Sequence, residues 1–296
     1  MRVFITGASS GLGRALAHAY AAQGATLGLL ARRADVLEKL VQELPKPPAH
    51  RKSGNAQNPN HIKSPQTAKP QAIERQSNDN SALDEQEVYT SVAHKLYAVD
   101  ITDRGALHQA AHDFQRLGPT DIVIACAGIS VGTLTEFPED FAVFEQVYRT
   151  NVLGLVASFE PFIAAMRQAN HGTLVGISSV AGVRGLPGAG AYSSSKAAVT
   201  AYCESLRVEL HDSAVKVLTI APGFIDTPMT QINPYAMPFL MPADRFATQA
   251  VKAIAKGKSY TVIPWQMGAV AKLLRLVPNK LYDAFAARSG RKPRQL

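Results

Sequence analysis

An apolar run, Arg2 to Thr6 (RVFIT), passes directly into Thr6-Gly7-Ala8-Ser9-Ser10-Gly11-Leu12-Gly13, and a helical pattern through Leu16, Ala19 and Tyr20 continues to Gln23. This succession of strand, glycine loop and helix constrains the fold more than any other stretch of the chain. Glycines let the backbone come close to a phosphate, and the helix N-terminus offers unbonded N–H groups at the positive end of its dipole. The spacing is G-x-x-x-G-x-G, not the common G-x-G-x-x-G fingerprint, so the context carries the reading. A tight strand-to-helix turn without a ligand is the plainer account of the same glycines.

The alternation repeats along the chain. A second strand, Ala25 to Ala31 (ATLGLLA), ends in Arg32-Arg33, where an acidic side chain would bind the ribose 2′-hydroxyl of NAD. No carboxylate stands here to repel a 2′-phosphate. Two guanidiniums can instead engage it, at roughly 1.5–3 kcal/mol per charge-assisted bond, which favours NADP(H); the plainer alternative is two solvated arginines at a helix start. A helix from Asp35 to Leu44 follows. From Pro45 to about Thr90 the chain turns rich in Pro, Gln, Asn, Ser and Lys, without apolar periodicity. Such a segment cannot bury enough surface to offset its ordering entropy, so a disordered surface insertion is expected at about 45–90.

Strands resume at His94 to Val99 and Asp121 to Ala125, with Thr102 as the expected N-cap of a helix from Arg104 to Gln115. One long helix is expected from Glu139 to Ala169. Asn151 lies inside it among residues that read as buried, and so requires a polar partner. Further strands are read at Gly172–Ser178, Val215–Ile220 and Tyr260–Ile263, with helices at Gly190–Leu210 and Ala243–Ala255. The pattern predicts an α/β fold: a doubly wound, Rossmann-like parallel sheet of about seven strands in the order 3-2-1-4-5-6-7, covered by helices on both faces. Ligands of such sheets sit at the carboxyl ends of the strands. The glycine loop, Arg32, Asp100, Gly128, Ser179 and Pro222-Gly223 all follow strand ends.

One of those ends opens the stretch Ile177 to Lys196 (ISSVAGVRGLPGAGAYSSSK). Tyr192 and Lys196 are four apart, so a helix presents both on one face. Bringing a phenol's pKa from about 10 to neutrality takes about 4 kcal/mol, part of which a lysine cation supplies. Alone, this spacing is more often an ordinary helix-surface pair. Downstream, the segment from Pro222 to about Met241 carries four prolines with Phe224, Tyr235 and Phe239, and reads as an apolar, mobile cover over a site.

Composition excludes several classes. With 46% hydrophobic and 18% charged residues the chain reads as an ordinary soluble globular protein. Two cysteines, Cys126 and Cys203, build no disulfide framework and both read as core, so a reducing, cytoplasmic location is expected. Neither a signal peptide nor a membrane span is read, and no metal site. The net charge is +8, but seven basic residues against Asp283 fall between Lys272 and Leu296, not on a face with interleaved aromatics. Nucleic acid is therefore not an expected partner. From Gln266 the extension (266–296) places Met267, Val270, Leu273, Leu274, Val277, Leu281, Tyr282 and Phe285 among those cations, an amphipathic pattern. It suits an anionic membrane surface, a cover over the substrate pocket, or a dimer interface.

Together the motifs resemble the short-chain dehydrogenase/reductase family in its single-domain form, over about 1–44 and 92–265, which sets residues 1–265 as one domain. The resemblance rests on TGASSGLG, on Asp100 after the third strand, on Asn151, on Ser179 with Tyr192-x-x-x-Lys196, and on PGFIDT at Pro222–Thr227. It implies Tyr192 as general acid in carbonyl reduction or base in alcohol oxidation, with Lys196 lowering its pKa and binding the nicotinamide ribose. It also implies Ser179 polarising the carbonyl and Asn151 holding a water that links Lys196 to solvent. The residues expected at NADP(H) are Gly7, Ser9, Ser10, Gly11, Leu12, Gly13, Arg32, Arg33, Asp100, Ile101, Ala127, Gly128, Tyr192, Lys196, Pro222, Gly223, Ile225 and Thr227, with Asp100 at the adenine and Thr227 near the carboxamide. One motif departs: Ala125-Cys126-Ala127-Gly128 replaces the family's Asn-Asn-Ala-Gly, so local repacking is expected. The resulting expectation is an NADP(H)-dependent oxidoreductase acting on a small carbonyl or alcohol, an apolar ketone or aldehyde by composition, in a homodimer or homotetramer. Its rival is a non-catalytic dinucleotide sensor on the same fold.

Overall fold

Successive residues of the first strand, β1 (Arg2–Thr6), point to opposite faces, and each face meets a different hydrophobic cluster. Val3 and Ile5 join Leu16, Leu27, Leu29, Leu37 and Phe246 on one side; Phe4 joins Leu107, Phe114, Val123, Phe159 and Phe162 on the other. A strand buried on both faces belongs to the interior of a sheet covered by helices. The computed structural model describes residues 1–45, 94–288 and 290–294. Apart from Pro45, the insertion read at 45–90 lies outside the described residues.

The elements follow the expected alternation: α1 (Gly11–Ala21), β2 (Thr26–Ala31), α2 (Ala34–Glu43), β3 (Lys95–Ala98), α3 (Arg104–Gln115), β4 (Ile122–Ala125), α4 (Asp140–Tyr148), α5 (Gly154–Ala169), β5 (Thr173–Ile177), α6 (Gly190–Glu209) and β6 (Lys216–Pro222). A two-strand pair, β7 (Ile225–Asp226) and β8 (Met241–Pro242), brackets the short helix α7 (Pro228–Gln231). Then come α8 (Ala243–Ala255), β9 (Tyr260–Ile263), α9 (Trp265–Leu276) and α10 (Asn279–Ala286). The main sheet is parallel throughout and runs β3-β2-β1-β4-β5-β6-β9. This is the expected order, the seventh strand being ninth along the chain because of the small pair. The order reverses between β1 and β4. There Thr6 is in register with both Leu30 and Ala125, so the strand ends open on one edge at the switch point.

Three local expectations are corrected. Asp103, not Thr102, caps α3: its carboxylate accepts from Ala106 N–H at 2.9 Å, while Thr102 is bonded to Asp100. The helix expected from Glu139 to Ala169 is interrupted by a π-helical turn, Arg149–Leu153, which holds Asn151 toward the loop after β4. Gly154, just beyond, lies where a Cβ would come 2.8 Å from Ile101. Cys203 is buried, but Cys126 is half-buried: it packs against the edge of the core and also lines the cleft.

Candidate active site

A cleft of about 590 Å³ opens at the carboxyl edge of the sheet. Every residue expected at the cofactor lines it, as do Ser179, Tyr192 and Lys196; Asn151 alone does not.

The glycine loop turns tightly from β1 into α1. Gly7 has φ +70°, and a Cβ there would lie 2.7 Å from the Ala127 backbone. A Cβ at Gly13 would run into the Gly7 carbonyl, so only glycines let helix, loop and β4 close this tightly. Ser10 precedes α1 without a side-chain cap, leaving first-turn N–H groups for an acceptor from outside. Arg32 and Arg33 follow β2, the Arg33 guanidinium 3.4 Å from Ser9 Oγ and that of Arg32 4.0 Å from the Asp100 carboxylate. The hydrogen bonds that Thr102 donates to Asp100 are the main force holding that carboxyl below its ordinary pKa, with Arg32 adding to them. An uncapped helix start, glycines that admit a close backbone and two cations at the strand end fit a nicotinamide dinucleotide.

Where the family's asparagines are missing, Thr6 Oγ1 accepts from Cys126 and Ala127 N–H at 3.2 and 3.4 Å. The loop is thus tied to its neighbour strand from the β1 side. Burial pushes the Cys126 thiol up to about 12, an inert state for oxidation chemistry.

The two serines after β5 divide their work. Ser178 Oγ donates to the Lys196 carbonyl at 2.8 Å and meets Thr200 Oγ1 at 2.7 Å, pinning the strand end to α6. Ser179 faces the cleft, accepts from Ala181 N–H at 3.1 Å and hydrogen-bonds the Tyr192 phenol. Lys196 is buried, donates to the Ile177 carbonyl at 2.9 Å and has its Nζ 5.8 Å from the Tyr192 ring centre. Burial pulls it down to about 8. Burial also raises the Tyr192 phenol, with the Ser179 hydrogen bond opposing it; the lowering expected from Lys196 is not among the causes. The phenol is therefore protonated at neutral pH, the form a general acid needs.

Asn151 Oδ1 accepts from Ile129 N–H (2.8 Å), and its Nδ2 donates to the Ile129 carbonyl (2.9 Å) and Ser195 Oγ (3.0 Å). These bonds fix the loop after β4 against α6 and use both Nδ2 donors, leaving Oδ1 with room for one further donor. Sequence reasoning missed Ile129 and Ser195, and gave Thr6 a place in the glycine motif and Tyr235 a place in the apolar cover without their partners. Each partners a residue more than twenty positions away, and no local pattern announces such a partner.

A doubly wound sheet with a phosphate-accepting loop at its switch point and a serine, tyrosine and lysine across the cleft defines a dinucleotide-dependent oxidoreductase of the short-chain type. The family model described as short chain dehydrogenase matches residues 1–63 and 65–235, and the chain belongs to the short-chain dehydrogenase/reductase family. It is 31% identical to "Dehydrogenase/reductase SDR family member 7B" of Bos taurus, over 99% of this chain and 82% of that protein. Among solved structures, a short-chain dehydrogenase from Sphingobium yanoikuyae in complex with NADPH is similar at TM-score 0.66 and 22% identity, covering 94% of this chain and 96% of that one. A Burkholderia phymatum short chain dehydrogenase/reductase in complex with NAD is similar at TM-score 0.68 and 21% identity, covering 100% and 98%. Those two likenesses show the fold alone. No helix among the described residues is long and apolar enough to cross a membrane.

Proposed function

We propose that the chain is an NADP(H)-dependent carbonyl reductase, or alcohol dehydrogenase in reverse, working as one catalytic domain over residues 1–265. The observation that carries this reading is the placement of the Tyr192 phenol, hydrogen-bonded to Ser179 and beside the buried Lys196, in the same cleft as the glycine loop. The nicotinamide, when bound, supplies or accepts the hydride. Tyr192 gives its proton to the developing alkoxide, a general-acid contribution of about 10²–10⁴-fold. Ser179 orients the carbonyl, and Lys196 holds positive charge where the phenolate forms. Arg32 and Arg33, without a competing carboxylate at the end of β2, support NADP(H) over NAD(H). Phe224 and Tyr235, ring centres 6.4 Å apart beside the cleft, support an apolar ketone or aldehyde. A screen of aromatic, aliphatic and steroid-like carbonyls for NADPH oxidation tests it: turnover of a subset is expected. Tight NADPH binding with no turnover across the panel would favour the non-catalytic sensor.

A second reading concerns the C-terminal helices. Trp265, Leu273, Leu276, Leu281 and Phe285 are exposed alongside Lys272, Lys280 and Arg288. This face supports peripheral contact of a cytoplasmic protein with an anionic membrane surface. The homodimer or homotetramer expected of the family belongs to the same proposal.

A further inference from the structure

Beyond α10 the chain packs among three loops of different origin, those that carry Gly132, Gly188 and Tyr235. Gly132 N–H donates to the Pro293 carbonyl at 3.1 Å, and a parallel bridge joins Gly132 to Arg294. A Cβ at Gly132 would overlap the Lys292 and Pro293 carbonyls; one at Gly188 would lie 3.1 Å from Arg291 Cβ, and one at Gly290 3.3 Å from Tyr235 Cβ. Tyr235 is close enough to Tyr192 for the two phenols to repel when ionised. Arg294 fastens the segment. Its guanidinium donates to both carboxylate oxygens of buried Asp140 (2.8 and 3.0 Å) and to Glu139 (2.9 Å), 3.6 Å above the centre of the Phe137 ring.

Between these anchors sits Lys292, only 7% exposed, with Nζ 2.8 Å from Ser130 Oγ. Arg294 has already taken the carboxylates of Glu139 and Asp140. Among the described residues the Lys292 ammonium keeps one neutral partner for its three donors and no counter-ion. Burying a cation without an anion is costly, and burial holds this amine down at about 8. Ser130 stands two residues past Gly128, where a Cβ would lie 3.4 Å from Lys196 Nζ. Gly128 and Ile129 line the cleft, and two peptide units reach at most about 8 Å, so the unpaired ammonium is tied to the loop that leads out of its catalytic end.

We propose that Lys292 is the specificity residue of the substrate subsite, and that the substrate carries an oxyanion, in the simplest case a carboxylate, beside its carbonyl. The assignment rests on the carbonyl-reductase reading for the reaction, but the subsite itself is a matter of binding. Docking of the anion completes the bonding of an ammonium the fold has already buried and oriented, while Tyr235 and Phe224 cover the apolar body.

The test uses the NADPH-loaded full chain with 4-formylbenzoate and its neutral counterpart 4-formylbenzamide, each followed by calorimetric titration and by NADPH oxidation. The wild type is expected to bind the carboxylate at least about tenfold more tightly, the worth of one charge-assisted hydrogen bond. Lys292→Met should erase that preference, and Lys292→Arg should keep most of it. Unchanged NADPH affinity in the variants reports an intact fold. Equal or undetectable binding of the two probes by the wild type, a preference that survives Lys292→Met, or a loss equal for both probes would overturn the assignment. A calorimetric preference that depends on Lys292, with turnover of neither probe nor of other carbonyls, would uphold the subsite and strike the reductase reading instead.

Discussion

Arg32 and Arg33 extend from the end of β2, which carries no acid of its own, and their neighbours Ser9 and Asp100 show where each guanidinium reaches. Both are exposed, so their attraction for a 2′-phosphate is screened by salt. Even so, each charge-assisted bond contributes about 1.5–3 kcal/mol, roughly tenfold or more in affinity. Arg32→Ala combined with Arg33→Ala should therefore raise the NADPH dissociation constant at least about tenfold more than that for NADH, read by fluorescence titration at low salt. An equal change in both would remove the argument for cofactor choice. At this scale the identities of the reactive groups were legible and their partners were not. Tyr192, Lys196 and Ser179 stand out because a helix period and a strand end fix their relation. That Asn151 spends its side chain on Ile129 and Ser195 depends on the π-helical turn, which tertiary contacts impose and no propensity predicts. The direction of the Tyr192 shift was likewise illegible, because burial dominates it and burial is a property of the folded chain.

The C-terminal helices illustrate what can be read at the scale of elements. Their amphipathic pattern predicted two distinct faces without saying what the inner face would meet. It meets the stretch between Ser179 and Tyr192. Arg184 donates to the carbonyls of Leu274 (2.9 Å) and Val277 (2.7 Å) and to Asn279 Oδ1 (3.0 Å), its guanidinium 3.9 Å from the Tyr282 ring centre. Tyr282 OH returns the contact to the Gly185 carbonyl at 2.6 Å, and Arg275 donates to that of Val183. The extension is thereby fixed against the catalytic loop, and its opposite face keeps the exposed apolar residues and cations. Leu276→Ser with Phe285→Ser should abolish co-sedimentation with vesicles containing phosphatidylserine, where the wild type sediments; neutral phosphatidylcholine vesicles should retain neither. Absence of wild-type binding, with particle mass rising with concentration, would assign that face to a second copy. Strand and helix boundaries were read to within a residue or two because strands buried on both faces produce plain apolar runs. The break between α4 and α5 was missed because its cause lies on Ile129 and Ile101.

For the whole molecule, the alternation of strands and helices fixed the architecture, since right-handed parallel connections leave few ways to arrange it. The sheet order follows, and with it the edge on which the glycine loop, Arg32, Asp100, Gly128, Ser179 and Pro222 converge. The path of the last five described residues was not legible, because it is held by pairwise contacts with Gly132, Asp140 and Ser130 that leave no periodic trace. The proposed chemistry is delivery of a proton from Tyr192, at this edge, to a carbonyl beside a bound nicotinamide. Its most direct test compares wild type and Tyr192→Phe for steady-state NADPH oxidation on a carbonyl from the screen, with NADPH affinity measured in parallel. The phenylalanine keeps the ring and removes only the hydroxyl, so turnover should fall by about 10²–10⁴-fold while the NADPH dissociation constant changes little; full turnover in Tyr192→Phe would contradict the account.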